Sequence, residues 1–359
     1  DSVVDGVPPL MVKAKRCIKA FGFSIAPNKP MKFSSDQVQS ITPESKMLTD
    51  GVVAKDEKPV YIVGGGKTSM DVAGLILSQN PNRKINFIIG KGTFFLNRET
   101  FFPNGAKKYW KGVSVYSCLI DSVLKYDHNN VRATTDYVKK RYCLAPFSDA
   151  IQTFIGLLSP EESETITGAV DNTWYDYLED VKENTGTLKM CLRSGQKEPV
   201  KPGSWFINCT GHIFPKVVIP EPVLSPHQTV LNIEKTNSTL IFTSFAGYFL
   251  PHLWYRNQFQ RVPIIYFNHQ DLARKDRETY LYAFGAQAIH NQLRFFEALP
   301  LSVMYNCGLN YDKWFPLSRQ LPMLIGMLSN KKKYLKATTT VLDQINKKYD
   351  IAKGVVGQH

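Results

Sequence analysis

Three consecutive glycines, Gly64, Gly65 and Gly66, separate the apolar run Val60-Tyr61-Ile62-Val63 from Lys67, Thr68 and Ser69. Residues of these types in this order suit the cradling of a phosphate or diphosphate. Gly64 makes the tight turn, because it tolerates a positive φ. Gly66 carries no side chain, so an anion can approach the backbone. Thr68 and Ser69 add hydroxyls, and the first N–H groups of a following helix, at the positive end of its dipole, face the anion.

The neighbouring segments can position such a loop. Lys58-Pro59 precedes the apolar run, which reads as a strand, and residues 70–77 have helical character with an apolar stripe of Met70, Val72, Ala73, Leu75 and Ile76. After the turn Asn80-Pro81-Asn82, residues 84–89 read as a second strand. Strand, glycine turn, helix and strand within about 30 residues form a βαβ unit that holds a dinucleotide pyrophosphate. The pattern is G-x-G-x-x-S, with Ser69 small enough to let the helix pack closely on the strand. Asp71 reads as a local hydrogen-bonding residue.

Gly66-Lys67-Thr68 also matches the end of the nucleoside-triphosphatase loop G-x-x-x-x-G-K-[ST]. That loop needs a glycine where this chain has Tyr61, inside the apolar run. A dinucleotide site is therefore preferred to an ATPase loop. An NAD site places Asp or Glu at the end of the second strand, for the ribose 2′-hydroxyl. Here that strand ends in Gly90-Lys91-Gly92, with Arg98 further on. Cations there suit a 2′-phosphate, so the expected cofactor is NADP(H), with Lys91 and Arg98 on that phosphate.

The 359 residues allow two to three domains, and 43% hydrophobic with 21% charged residues allows a sizeable core. A net charge of +13 is compatible with nucleic acid, an anionic membrane surface or an anionic cofactor. Part of it lies in a lysine-rich tail (Lys331, Lys332, Lys333, Lys336, Lys347, Lys348, Lys353), which reads as a solvated helix face. No nucleic-acid motif accompanies the charge, so no nucleic-acid partner is expected. The six cysteines form no C-x-x-C, which disfavours a redox dithiol or a cysteine zinc site and fits reduced thiols. No metal is expected. The apolar stretch 240–255 is short and carries Ser244, Pro251 and His252, so no transmembrane segment is expected. No signal peptide is visible, and a cytoplasmic location is the expectation.

Along the chain, residues 28–58 read as a loop-rich linker, with Pro27, Pro30, Pro43 and Pro59 as punctuation. Residues 137–185 read as largely helical, with Ser159-Pro160-Glu161-Glu162 as a helix start. Residues 188–192 and 205–209 read as a strand pair leading to a turn at Gly211, and the part from His269 on as mainly helical, over 280–298 and 314–328. Ile18 and Gly22 match Ile207 and Gly211 at one fixed offset, each pair marking a strand that stops at a small-x-Gly turn. The two turns bracket the glycine loop, as in one domain interrupted by another. His212, His252 and His269 are the candidate acid–base groups, although each also reads as an ordinary structural histidine.

With these turns and the glycine loop together, the chain resembles the FAD- and NAD(P)-dependent oxidoreductases with two dinucleotide-binding domains, in their flavin-containing monooxygenase-like branch. Cys209-Thr210-Gly211 is similar to the A-T-G strand end that returns that family's chain to its FAD domain, and Ala20-Phe21-Gly22 to the earlier such turn. The likeness covers about residues 10–250. It implies an α/β fold: a Rossmann-like NAD(P)-binding domain inserted in a partial FAD-binding domain, with a helical C-terminal part. The implied divisions are 1–50 (partial FAD segment and linker), 51–211 (NAD(P)-binding, with a helical insertion) and 212–359 (return to the FAD domain and helical region). It further implies FAD and NADP as cofactors, a small-molecule substrate, and Thr210 and Gly211 near the flavin. Three departures stand out. A G-x-G-x-x-G for FAD is missing, and Phe245, Gly247 and His252 only approximate the monooxygenase fingerprint. That segment also follows the NADP motif instead of preceding it, and no redox C-x-x-C occurs. The expected activity is NADPH-dependent flavin reduction. The alternative is a non-catalytic NADP(H)-binding sensor or scaffold. The catalytic acid or base is not assigned.

Overall fold

The apolar runs Val60–Val63, Ile85–Ile88 and Trp205–Asn208 are neighbouring strands of one sheet in the computed structural model, which describes residues 6, 8, 11–20, 28–147, 150, 152–184, 186–211, 221–233 and 243–356. Phe21, Gly22, Pro27 and His212 lie outside the described residues. The chain divides into two units. One gathers Asp1–Ser24, Val217–Asn310 and Leu324–His359, and the other Ile25–Lys216 and Tyr311–Met323.

The second unit is α/β and built on a five-stranded sheet in the order Gln39–Ile41, Trp205–Asn208, Val60–Val63, Ile85–Ile88, Val170–Trp174. Every pairing in it is parallel. Its inner strands are mostly apolar because both faces are covered, as parallel sheets require, and the buried Asn86 within them donates to Val60 O at 3.2 Å. On one face Val60, Ile62, Ile85, Phe87, Trp205 and Ile207 pack with Met70, Ala73 and Ile76 of helix Lys67–Gln79. On the other, Tyr61, Val63, Ile88 and Phe206 meet Val181, Leu188, Met190 and Leu192 of a three-stranded antiparallel sheet. The Tyr61 and Phe206 rings stack at 4.7 Å between centroids. Tyr61 is thus a core residue inside a strand, where a triphosphate loop would need its first glycine.

Sequence and structure differ in three places. Residues 28–58 are not only linker. They supply the edge strand Gln39–Ile41, paired with Trp205–Ile207, and the helices Lys46–Thr49 and Val52–Lys55. A three-residue strand has too little periodicity to be read, and here it is fixed by its neighbour. Residues 137–185 are only partly helical. After helix Val131–Tyr142 come the strands Cys143–Leu144, Gln152–Leu158, Val170–Trp174 and Leu178–Asn184, with helix Pro160–Gly168 between the second and third. Each of these strands pairs with sequence-distant partners or with its hairpin mate, and that pairing overrides local propensity. Finally, Thr187–Leu192 and Trp205–Asn208 are not a pair. The first pairs with Leu178–Asn184 and Lys197–Pro199, and the second lies in the parallel sheet.

The first unit is mainly helical, as expected of the C-terminal part. Helix Arg277–Ala298 starts at Asp276, whose side chain accepts from the N–H groups of Glu278 and Thr279 at 3.0 Å. It packs on helix Lys331–Tyr349. Its buried amides close the inner edge of the strand Ile265–Phe267. Asn291 accepts from Ile265 N at 2.9 Å and donates to Ile265 O at 2.8 Å, with Gln287 donating to the same carbonyl at 3.0 Å. Helix Thr243–Tyr255 carries His252 and is short. No helix among the described residues is long and apolar enough to cross a membrane.

Two histidines are buried in this unit. His269 Nε2 meets the side-chain oxygen of Gln287, and its Nδ1 has no hydrogen-bond partner. His290 Nδ1 lies 3.2 Å from the Thr338 hydroxyl. That hydroxyl already donates to Leu335 O, so the imidazole N–H is the donor. Burial pushes both histidines from 6.5 down to about 4. The neutral forms therefore stabilise the fold fully above pH about 6.5, and that stability is lost as the pH falls from there toward 4. Thermal unfolding followed between these limits should show Tm falling with pH. The fall should be shallower in His269→Asn than in the natural chain, and equal slopes would exclude this origin.

Candidate functional site

The strands Val60–Val63 and Trp205–Asn208 lie side by side, yet the chain leaves Val63 toward Ile85–Ile88 on one side, and Trp205 returns on the other. This reversal of strand order is a topological switch point, and ligands of open α/β sheets bind outside the carboxyl ends of the strands at such a place. The glycine loop sits there. Gly64 N donates to Ile88 O and Cys209 N to Val63 O, both at 2.8 Å.

Each glycine has a different reason. Gly64 has φ +122°, and a Cβ there would lie 2.9 Å from the Cys209 carbonyl oxygen. Both backbone conformation and space thus exclude a side chain. A Cβ on Gly65 would press on Ile89 at 3.1 Å. A Cβ on Gly66 would meet nothing within 4 Å. Gly66 is therefore bare toward open space, at the N-terminus of helix Lys67–Gln79. It caps that helix without a side-chain hydrogen bond, and no acidic residue occupies the first turn. The initial N–H groups of a helix have no intrahelical acceptor, so this end presents donors and positive potential outward. The residues present fit a diphosphate.

The remaining expected residues separate into those that face this opening and those that do not. Thr68 is exposed in the first turn. Ser69 is fully buried beside Cys209, where it packs the helix on the strand. Burial pushes the Cys209 thiol up to about 12, which leaves it an inert packing group. Lys67 pairs with Asp71 one turn on. Lys91 is exposed in the turn after Ile85–Ile88. There Gly90 has φ +59° and lies under the Tyr177 ring, 2.8 Å from where its Cβ would stand. The Asp176 carboxylate near this turn is occupied by Tyr177 N at 2.7 Å and Ser194 N at 3.0 Å. Thr210 and Gly211 are exposed just past the strand end, beside the glycine loop. Asn208 holds this end in place, accepting from Thr210 N at 3.1 Å and donating to Lys29 O at 2.8 Å.

Arg98 is not a free cation. It pairs with Glu162 at 3.0 Å. Glu162 is also the reciprocal half of a capping box, accepting from Ser159 N at 2.7 Å while Ser159 Oγ accepts from Glu162 N at 3.1 Å. Burial disfavours its charge, but Ser159, Arg98 and Lys67 outweigh this and hold its carboxyl below the usual range. The sequence reading saw Ser159 to Glu162 as a helix start and missed the carboxylate as a partner for Arg98. Only the pairing of Gln152–Leu158 with Thr93–Asn97 brings the two together.

Among the histidines, His269 is sealed in the core. His252 is half-buried with its ring on Tyr248, 5.0 Å between centroids. Both belong to the first unit, whereas the loop belongs to the second. No three His, Cys, Asp or Glu side chains gather as a metal-ligand set among the described residues. A hollow of about 720 Å³ lined by Lys55 to Pro59, Lys201 and Pro202 lies at the amino ends of the strands, the wrong end for a nucleotide. One strand–glycine–helix cradle is found among the described residues, and a second, for the FAD pyrophosphate, is not.

No family model and no curated protein matches the chain. Among solved structures it is similar to an L-lysine 6-monooxygenase from Pseudomonas syringae, at 10% identity, 55% of this chain, 46% of that chain and TM-score 0.27. It is similar to an ornithine N-hydroxylase from Kutzneria sp. 744 with reduced FAD, NADP+ and L-ornithine, at 11% identity, 58% and 46% coverage and TM-score 0.27. A third is the FAD-bound cadaverine monooxygenase of desferrioxamine biosynthesis from Erwinia amylovora, at 9% identity, 77% and 60% coverage and TM-score 0.32. The chain spans about half the length of the first two, 46% of each.

Two substitutions separate folding from binding. Gly64→Ala should destabilise the unit by roughly 2–4 kcal/mol through positive φ and the clash with Cys209. Gly66→Ala should leave Tm nearly unchanged and weaken dinucleotide binding by about tenfold or more, since its methyl enters space an anion would use. Calorimetric titration beside thermal unfolding reads both. A Gly66→Ala protein that binds normally would place the diphosphate elsewhere.

Proposed function

We propose that this chain binds NADPH at the glycine loop and belongs to a flavin-dependent oxidoreductase of monooxygenase-like type, with FAD as second cofactor and a small molecule as substrate. The observation that carries the nucleotide half is the bare Gly66 at an uncapped helix N-terminus on the switch point. The flavin half rests on the resemblance carried by Cys209-Thr210-Gly211 and the bracketing turns.

In this reading Gly64 shapes the loop, and Gly65 and Gly66 with the N–H groups of Lys67 and Thr68 hold the diphosphate. The Thr68 hydroxyl adds a donor, while Ser69 works from behind by keeping the helix against the strand. Lys91 meets the 2′-phosphate from its turn. Arg98 contributes from within its pair with Glu162, which a phosphate would share or displace. Thr210 and Gly211 border the cradle at the adjacent strand end and face outward, toward the flavin in this proposal. With both cofactors bound, NADPH would supply the hydride and FAD would accept it. The chain's own task is to fix the dinucleotide in register and keep the loop clear of carboxylates that would repel its phosphates.

The test uses the full-length protein. It should purify yellow and bleach on anaerobic NADPH addition. Lys91→Ala should weaken NADPH binding by roughly tenfold and leave NADH unchanged. A colourless protein that still binds NADPH would point to a sensor, and one that binds neither nucleotide would refute the assignment.

A further inference from the structure

The turn that carries Lys91 has a cover that the glycine pattern does not explain. Gly90, with φ +59°, lies against the Tyr177 ring, and a Cβ there would stand 2.8 Å from Tyr177 Cε1. Over the same ring lies the Arg193 guanidinium, 4.3 Å from the ring centroid. Glycine backbone, ring and guanidinium thus adjoin one another at the carboxyl end of strand Ile85–Ile88, all within the second unit.

The arrangement is held by backbone and is more than the meeting of two long side chains. Arg193 N donates to Tyr177 O at 2.9 Å, which continues the pairing of Leu178–Asn184 with Thr187–Leu192 past a register shift between Cys191 and Leu192. Such irregularities re-aim side chains. Asp176 clamps both sides, accepting from Tyr177 N at 2.7 Å and Ser194 N at 3.0 Å. Gly90 N donates to Asp176 O at 3.0 Å and ties the clamp to the turn. Arg193 Nε pairs with Glu179 at 3.5 Å. The N–H bonds of a guanidinium lie in its plane, so a pair through Nε engages the edge and leaves the faces free. The Arg193 side chain is 63% exposed, and the face turned from Tyr177 is open to solvent.

A guanidinium seated on one ring offers its other face to a second flat, electron-rich ring, and holding it in advance lowers the entropic cost of doing so. In a βαβ dinucleotide unit the adenosine ribose lies at the end of the second strand, which is where this seat stands. We infer that Arg193, seated on Tyr177, is the platform on which the adenine ring of the dinucleotide stacks. This rests on the reading of the glycine loop as a dinucleotide site, and it assigns the base, which neither the loop nor Lys91 serves. A phosphate contact is the weaker role for Arg193, because Glu179 and Asp176 stand beside it and would oppose an anion. Stacking uses the face and tolerates both carboxylates. Tyr177 is a positioning residue, and Arg193 is the one that touches the base.

Calorimetric titration of the full chain with ADP-ribose, NADPH and NADH tests it. Arg193→Ala should weaken all three by one common factor, roughly tenfold, as loss of a stacking partner does. Arg193→Lys keeps the charge but not the plane, and should recover little of the loss. Tyr177→Phe should bind as the natural chain does, and Tyr177→Ala as weakly as Arg193→Ala. Thermal unfolding of Arg193→Ala should match the natural chain, because the side chain is exposed and its ion pair is an exposed one. The inference fails if Arg193→Ala binds ADP-ribose normally or if Arg193→Lys restores binding. It also fails if the loss falls on NADPH alone, which would make Arg193 a phosphate contact. A natural chain that binds none of the three ligands removes the nucleotide reading itself, a result distinct from normal binding by the variants.

Discussion

The contact on which the second unit turns is the close approach of Gly64 to the Cys209 carbonyl. A side chain at residue 64 would lie 2.9 Å from that oxygen, so the ends of strands Val60–Val63 and Trp205–Asn208 can meet only because residue 64 has none. Their meeting creates the switch point, and helix Lys67–Gln79 then starts at the sheet's edge with its N–H groups turned to open space. Everything proposed for the nucleotide follows from that one steric permission. The sheet behind it is held rigid by two covered faces. The Tyr61–Phe206 stack ties the same two strands together on the face opposite the helix.

The electrostatics of the opening are arranged by committing carboxylates elsewhere. Glu162 is held by Ser159 and Arg98, Asp176 by Tyr177 and Ser194, and Asp71 by Lys67. An isolated exposed ion pair contributes little to stability. Its consequence here is local: Lys67 and Arg98 offset the charges of Asp71 and Glu162, which would otherwise oppose a phosphate, while backbone N–H groups hold the ionised Asp176. Lys91 is the exposed cation lifted on a glycine-flanked turn, and Arg98 is available only in competition with Glu162. Of the two residues proposed for a 2′-phosphate from their positions after the second strand, the geometry thus ranks one above the other.

Where the sequence reading missed, non-local pairing was the reason. Residues 137–185 carry enough helix-compatible residues to look helical, yet four strands form there, three on sequence-distant partners and Leu178–Asn184 on its hairpin mate. The edge strand Gln39–Ile41 lies in a proline-punctuated stretch and exists through Trp205–Ile207. Ser69 was expected to serve a phosphate, but the same smallness that suits the fingerprint lets it be buried. His269 looked like a candidate acid–base group and proved to be a core residue whose ring sits among Phe267, Tyr280 and Phe284.

The sequence by itself determined the strand–glycine–helix–strand unit, its boundaries within about three residues, and the absence of a carboxylate at the end of its second strand. Those features are local: β-branched runs, glycines and an apolar helical stripe state their structure within a dozen residues. Only the tertiary structure decided that Trp205–Asn208 lies beside the loop and that Glu162 occupies Arg98. Strand order and ion-pair choice depend on residues far apart in the chain, and no spacing rule along one sequence encodes them.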